Sequence, residues 1–277
     1  MENFWSRYKR NHAAVFGLLV VVLIIVMAIT ASFLYPEDPF RLVGKPLSKP
    51  LTNGFLLGSD SLGRDVASGI VHGAKTSLLI GFVATLVSVF IGIFFGAFAG
   101  YFGGLIDDIL MRVTEIFQTI PSFIFAILLV AIMKPSMGSI VIAIAVVSWP
   151  GVARLVRGEF LAVKNREFVQ ACHTLGMSDL RIMLWEILPN CLSPIIVVGS
   201  LMVATAILIE SGLAFLGLGD PNIMSWGFLI GAGRTMLRSA GWDCTFPGVA
   251  ILITVLAINL IGEGLNDALN PRLKERQ

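Results

Sequence analysis

Six long apolar stretches, separated by shorter polar ones, organise the chain: about Ala13 to Leu34, Ser77 to Phe102, Ile109 to Met133, Ile140 to Val156, Leu192 to Leu216 and Pro247 to Ile261. A helix rises about 1.5 Å per residue, so about 20 apolar residues cover a hydrocarbon core about 30 Å thick. The fourth and last stretches lie near the short limit. A segment in lipid must satisfy its own backbone hydrogen bonds, which a helix does internally. The pattern therefore predicts an all-α integral membrane protein with six transmembrane helices, returning the chain to the side on which it began. The first stretch follows Arg7, Lys9 and Arg10 as a secretory signal would. It is longer than the about 7–15 residues of a signal's apolar region, and reads as a retained membrane helix.

Between the fourth and fifth stretches the pattern changes. Residues 167–190 read EFVQACHTLGMSDLRIMLWEILPN. Phe168, Ala171, Cys172 and Leu175 recur at the spacing of one helical face, with Asn165 placed to cap the start. Gly176 suits a left-handed residue that ends a helix. Ser178 and Asp179 restart the chain, and Leu180, Met183, Leu184 and Ile187 repeat the spacing before Pro189, which fits the first turn of the fifth span. Two short amphipathic helices meeting at a glycine are expected. Neither reaches the about 12–15 residues at which an isolated helix is marginal in water, so both need a surface. The protein's own membrane helices, the lipid interface and another subunit would each provide one.

Inside the spans, Gly92, Gly96 and Gly100 repeat every four residues and offer a face without side chains, where a neighbouring helix can approach closely. Pro121 in QTIPSF and Pro150 in SWPGV each remove a backbone donor and are expected to bend their helices. Glu210 lies well inside the fifth span, where a carboxylate in lipid is costly and must face protein or water. Glu210, Pro121 and Ser122 are candidates for a solute contact or for structural roles. Arg112 and Glu115 stand at the i, i+3 spacing of a helix-surface ion pair. The loop from about Tyr35 to Thr76 carries Asp60, Arg64 and Asp65 among glycines; these either pair internally or meet another protein. The stretch from Gly217 to Phe246 is too broken by Gly and Pro to span. It is expected to form a re-entrant or interfacial piece, with Trp226 and Trp242 at the membrane interface.

Composition narrows the function classes. Of 277 residues, 56% are hydrophobic and 14% charged, with a mean hydropathy of +0.86, whereas a soluble domain carries about a quarter charged residues. The formal net charge of +2 comes from balanced signs without a basic block, which argues against a nucleic-acid partner. Cys172, Cys191 and Cys244 lack C-x-x-C spacing, and His12, His72 and His173 are scattered. No disulfide framework, metal site or cofactor is therefore expected. HExxH, G-x-S-x-G and the G-x-x-x-x-G-K-[ST] phosphate loop are all missing, so no catalytic residue is expected. Lys and Arg fall more often on the side holding both termini and the polar insert, which predicts cytoplasmic termini.

Residues 167–190 resemble the EAA loop of ABC-importer permease subunits: E-A-A, three residues, Gly, nine residues, Ile, one residue, Leu-Pro. Aligned on Gly176, the chain offers Gln170, Ala171 and Cys172 for E-A-A, with Leu188 and Pro189 at the expected offset. Gln170, Cys172 and Glu186 depart from the pattern. Elsewhere LGSDSLGRDVASGIVHGAKTSL, IPSFIFAI, SWPGVARLVRGE, LPNCLSPIIV, FLGLGDPNIMSWG and DALNPRL are similar to segments of the second permease of the dipeptide, oligopeptide and nickel importer subfamily.

The resemblance implies a cytoplasmic tail and first transmembrane helix over residues 1–34, and an extracytoplasmic loop over 35–76. A five-helix permease core over 77–265 would follow, with a cytoplasmic coupling-helix insert at 158–190 and a cytoplasmic tail at 266–277. It implies that Glu167, Gln170, Ala171, Cys172, Leu175, Gly176, Leu188 and Pro189 couple the permease to an ATPase. The implied assembly lies in the bacterial inner membrane and contains a homologous second permease, two ABC ATPases and an extracytoplasmic binding protein for peptides or a related small solute. The permease itself would be no enzyme. The main alternative is an ATP-independent secondary transporter or channel. Against it, the sequence shows neither an inverted repeat of broken helices nor an array of intramembrane charges.

Overall fold

The computed structural model describes residues 4–269. Arg272, Lys274 and Arg276, with the end of DALNPRL, lie outside them. Asn11 separates a short helix α1 (Phe4–Arg10) from the first apolar helix α2 (His12–Ile29), which it caps by accepting the Ala14 N–H at 3.0 Å. After a long loop comes α3 (Val66–Phe102), a single helix of 37 residues. It begins well ahead of the expected Ser77. Asp65 caps it through the Ala67 N–H at 3.0 Å, and its polar first turns are buried in protein, with Gly73 against Ser225 and Trp226. Those turns carry no apolar run because they do not face lipid.

The expected third span is two helices, α4 (Gly104–Thr119) and α5 (Ser122–Met133), bent by 84°. Proline's ring disfavours helical geometry in the residue before it, and Ile120 is accordingly extended at φ −93°, ψ 130°. The bend at Pro121 is therefore a break rather than the kink that a missing donor alone would give. Pro150, by contrast, sits inside α6 (Met137–Val163) without interrupting it. α4 starts beside the end of α3, across Gly103 at φ +68°. At the opposite end of the bundle the Met137 N–H donates to Asp220 Oδ2 at 3.0 Å. The bent pair thus carries the chain from one end of the bundle to the other, a candidate sixth span beside the five helices that, among the described residues, are long and apolar enough to cross a membrane.

Beyond α6 lie α7 (Glu167–Thr174) and the long α8 (Asp179–Leu218). Within α8, Ile182–Ile187 winds as a π-helix, and the Leu188 N–H reaches Met183 O five residues back. The wider turn accommodates Pro189, which has no N–H to give. The second amphipathic piece expected from the sequence is therefore the first part of the fifth span, not a separate helix. Near its end α8 leaves helical geometry at Gly217, φ +85°. A short helix α9 (Trp226–Gly233) then tucks into the bundle, and α10 (Trp242–Leu269) closes it. Trp226, expected at the membrane interface, is fully buried instead. Its indole N–H donates to Ile70 O at 2.9 Å, and its backbone N–H to Ser77 Oγ at 3.1 Å. The α3–α9 contact supplies the polar partner that a headgroup would otherwise give. Trp242 is half-buried, its indole bonded to Ser59 O at 3.2 Å.

α3 is the spine, shared by three apolar clusters. The first joins α2, α3, α8, α9 and α10 through Ile70, Ile207, Trp226 and Ile258. The second joins α3, α6, α7 and α8 through Ala97, Phe160, Val169 and Ile182. The third joins α3, α5, α6 and α8 through Ala84, Val130, Ile144 and Leu213. Gly92, Gly96 and Gly100 face Val152, Ala153 and Phe160 of α6 so closely that no side chain fits; a Cβ on Gly100 would lie 2.6 Å from that of Phe160. The repeat fixes the α3–α6 pair.

Candidate functional site

The α7–α8 hairpin stands at the end of the bundle that also holds α1, the end of α3 and the start of α4. Its turn is a Schellman motif: the Met177 N–H bonds Cys172 O at 3.2 Å and the Gly176 N–H bonds His173 O at 3.0 Å. Gly176 supplies the left-handed residue at φ +73°. The start differs from expectation. Arg166 takes the cap position without a side-chain bond, and Asn165 does not serve.

The apolar stripe of the first arm divides. Of its four residues only Cys172 turns inward, half-buried beside Val169, which the expected stripe left out and which is fully buried; both lie in the cluster with Phe160 and Ile182. Phe168, Ala171 and Leu175 point away from the membrane helices, Leu175 being 80% exposed. The second arm divides likewise, with Ile182, Met183 and Ile187 inward and Leu180, Leu184 and Trp185 outward. The hairpin is therefore seated on its own protein by one face while a second apolar face remains uncovered. Glu167, Gln170, Gly176 and Pro189 are exposed beside that face, and Leu188 is half-buried.

Three polar contacts that sequence reasoning missed hold this end. Arg157 of α6 forks Asp107 of α4 at 2.5 and 2.6 Å. Lys164 Nζ donates to Gly100 O at 2.9 Å, at the carbonyl end of α3. Tyr101 Oη donates to Asp179 Oδ1 at 2.7 Å. The first carried a signal, since charges flanking apolar runs need partners; the others link residues too distant in sequence for any spacing rule. Arg112 and Glu115 do pair at 3.2 Å on the exposed side of α4. They line a charged cleft of about 540 Å³ with Asp107, Asp108, Arg154 and Arg157.

The other candidates lie apart from the hairpin. Glu210 is buried, accepting from Ser225 Oγ at 2.7 Å and Ser211 Oγ at 3.3 Å. Ser225 also caps α9 through the Phe228 N–H at 2.9 Å, so the carboxylate anchors the start of α9. Pro121 and Ser122 are exposed at the α4–α5 bend. Asp60 and Arg64 pair with each other at 2.6 Å, with side chains only 4% and 11% exposed. The Arg64 guanidinium lies 5.6 and 5.5 Å from the ring centres of Phe40 and Phe228. Burial pushes the Asp65 carboxyl upward, against the pull of the Ala67 and Ser68 N–H groups. An open, largely apolar cleft of about 950 Å³ runs between α2, α3, α8 and α10. Among the described residues, no group of three or more His, Cys, Asp or Glu side chains is placed to hold a metal ion.

Residues 92–275 match the family model described as the binding-protein-dependent transport system inner membrane component. The chain belongs to this family. Residues 1–49 match the N-terminal transmembrane domain of oligopeptide transport permease C. The permease is 44% identical to the dipeptide transport system permease protein DppC of Escherichia coli K12, over 99% of this chain and 94% of that protein. It is 40% identical to the di/tripeptide transport system permease protein DppC of Pseudomonas aeruginosa, over 99% and 93%. It is also 40% identical to the glutathione transport system permease protein GsiD of Shigella flexneri, over 99% and 91%. Its fold resembles the MetNI methionine ABC transporter in an inward-facing conformation, with a TM-score of 0.60 at 17% identity over 73% of this chain and 96% of that one. The chain is thus a multi-pass inner-membrane permease of binding-protein-dependent ABC import, homologous to dipeptide permeases, and the ATP-independent transporter is set aside.

Proposed function

We propose that this permease forms half of a translocation pathway for dipeptides or short oligopeptides, beside a homologous second permease, and that the α7–α8 hairpin docks it onto a cytoplasmic ABC ATPase. The observation that carries the docking is the divided hairpin, rigidly seated through Val169, Ile182 and Met183 while Phe168, Leu175 and Leu180 stay uncovered. An amphipathic helix laid into an apolar groove is a recurrent mode of recognition, and a seated hairpin passes a push to the helices beneath it. The full-length likeness to dipeptide permeases supports the cargo class. The excess of Lys and Arg at the hairpin end supports cytoplasmic termini, with the loop of residues 35–65 facing an extracytoplasmic binding protein.

The test is co-purification with the ATPases encoded beside it, comparing wild type with Ala171→Asp, Leu175→Asp and Gly176→Pro. Loss of ATPase from variants that still insert normally is the expected result. Retention by all three overturns the docking.

A further inference from the structure

The hairpin has two arms joined at Gly176, and an articulated joint transmits force only if both arms are held. The apolar seat holds the hairpin by dispersion and burial, which are non-directional. Direction comes from Tyr101, in the last turn of α3. Its hydroxyl donates to Asp179 at the start of α8, 2.7 Å away. Its ring stacks on His173 at the end of α7, with centroids 6.3 Å apart and planes 24° from parallel. One side chain therefore touches both sides of the Gly176 turn.

Among the described residues, the Tyr101–Asp179 contact is the one side-chain hydrogen bond tying residues 167–181 to another helix. Tyr101 is itself fixed from behind. Lys164 Nζ donates to Gly100 O and lies 3.4 Å from Tyr101 O. Gly92, Gly96 and Gly100 press α3 onto α6, and α6 is clamped to α4 by Arg157 and Asp107. A displacement of the hairpin thus reaches α3 through a phenol on a rigid pair of helices.

We propose that Tyr101 is the positioning residue that sets the hairpin's angle on α3, so that closure of the partner moves the spine of the permease instead of flexing the joint at Gly176. This rests on the reading that the hairpin docks on an ATPase. Tyr101 packs only at the edge of the seat, whose buried centre is Phe160, Val169, Ile182 and Met183, so an apolar replacement such as Leu leaves docking intact and damages transmission alone.

The experiment uses the full transporter in proteoliposomes, measuring basal ATP hydrolysis and its stimulation by the cognate binding protein. A spin-label pair on Arg181→Cys and Gly158→Cys, with the natural cysteines replaced, reports the hairpin angle against α6 without touching the docking face; both positions are exposed. Tyr101→Leu is expected to keep the ATPases bound and basal hydrolysis near wild type. Its stimulation should fall about threefold to tenfold, the range set by the net worth of one ordinary, solvent-exposed hydrogen bond, and its label distances should broaden. Tyr101→Phe, which keeps the ring, should fall between. Asp179→Asn, which keeps an acceptor oxygen, should restore most of the stimulation, whereas Asp179→Ala should match Tyr101→Phe without adding to it. Unchanged stimulation with unchanged distances in Tyr101→Leu overturns the proposal. So does an equal fall in basal and stimulated hydrolysis, which marks plain destabilisation. ATPases that dissociate from Leu175→Asp but stay on Tyr101→Leu keep the docking reading standing whichever way the stimulation goes.

Discussion

Glu210 and Arg64 show how buried charge is made affordable in this permease. Glu210 sits where water is scarce, and two serine hydroxyls are its partners. Removing the acceptor leaves Ser225 with an unmet donor at the cap of α9, a loss of about 1–3 kcal/mol for a buried polar group. Glu210→Ala should therefore lower the thermal midpoint of the detergent-solubilised permease clearly, with Glu210→Gln lowering it less because its amide oxygen still accepts. Equal midpoints for all three would remove the anchoring role. Arg64 makes the opposite case, a cation between two aromatic rings with Asp60 as counter-charge. Arg64→Met fills similar space but takes the cation from the Asp60 carboxylate, which keeps only the backbone N–H groups of residues 62 and 64, and one-sided removal from a buried pair costs up to about 3–5 kcal/mol. The double variant Arg64→Met with Asp60→Asn should recover much of that loss, read in the same melts. The sequence offered both residues as candidates and Asp60 as a possible mate for Arg64, yet neither Ser225 nor Phe228. Phe228 reaches Arg64 from far along the chain, and Ser225 reaches Glu210 only because the chain turns back after Gly217 to seat α9 in the bundle, so the tertiary fold brings each pair together.

At the scale of helices, what was legible followed from chemistry that acts within one segment. Apolar length marked the membrane helices, and the four-residue glycine repeat marked a close helix face, which packs on α6. What was not legible depended on a neighbour. The first turns of α3 lack an apolar run because α9 covers them. Of the amphipathic stripe of α7 only Cys172 faces inward, because α6 and α8 meet the helix at Val169, outside the stripe. Pro121 and Pro150 look alike in sequence, but one breaks a helix and the other does not. The glycine face yields a sharp expectation. Gly96→Val places methyl groups where Ala153 O and Val156 already stand, an overpacking worth about 1–3 kcal/mol. It should lower the melting midpoint and the yield of folded permease. Gly158→Ala, with nothing within 4 Å of its Cβ, should stay within about 1 kcal/mol of wild type or gain slightly from helix propensity. Similar behaviour of the two would show that α3 and α6 do not pack as described.

Over the whole molecule, the arrangement of ends decides how the parts work together. Tyr101, Asp107, Lys164 and Asp179 gather at one end, and Ser59, Asp220 and Trp242 lie at the other. The α4–α5 pair, although sharply bent, joins one end of the bundle to the other, and α1 lies beside α10. Asn11 and Asp267 meet there at 2.9 Å. With cytoplasmic termini, the hairpin must face the cytoplasm and the loop around Leu51 must face outward. In a background where Cys172, Cys191 and Cys244 are serine, an impermeant maleimide applied to intact spheroplasts should label Leu51→Cys at once. It should reach Leu175→Cys only after permeabilisation; both positions are exposed, at 82% and 80%, so accessibility within the fold does not confound the comparison. Labelling of both from outside would mean that the bent pair turns back without crossing, placing α6 and everything after it in the opposite orientation. Labelling of Leu175→Cys alone would invert the molecule and put the docking face out of reach of any cytoplasmic ATPase. The single comparison thus tests the sixth crossing and the side on which the permease meets its motor.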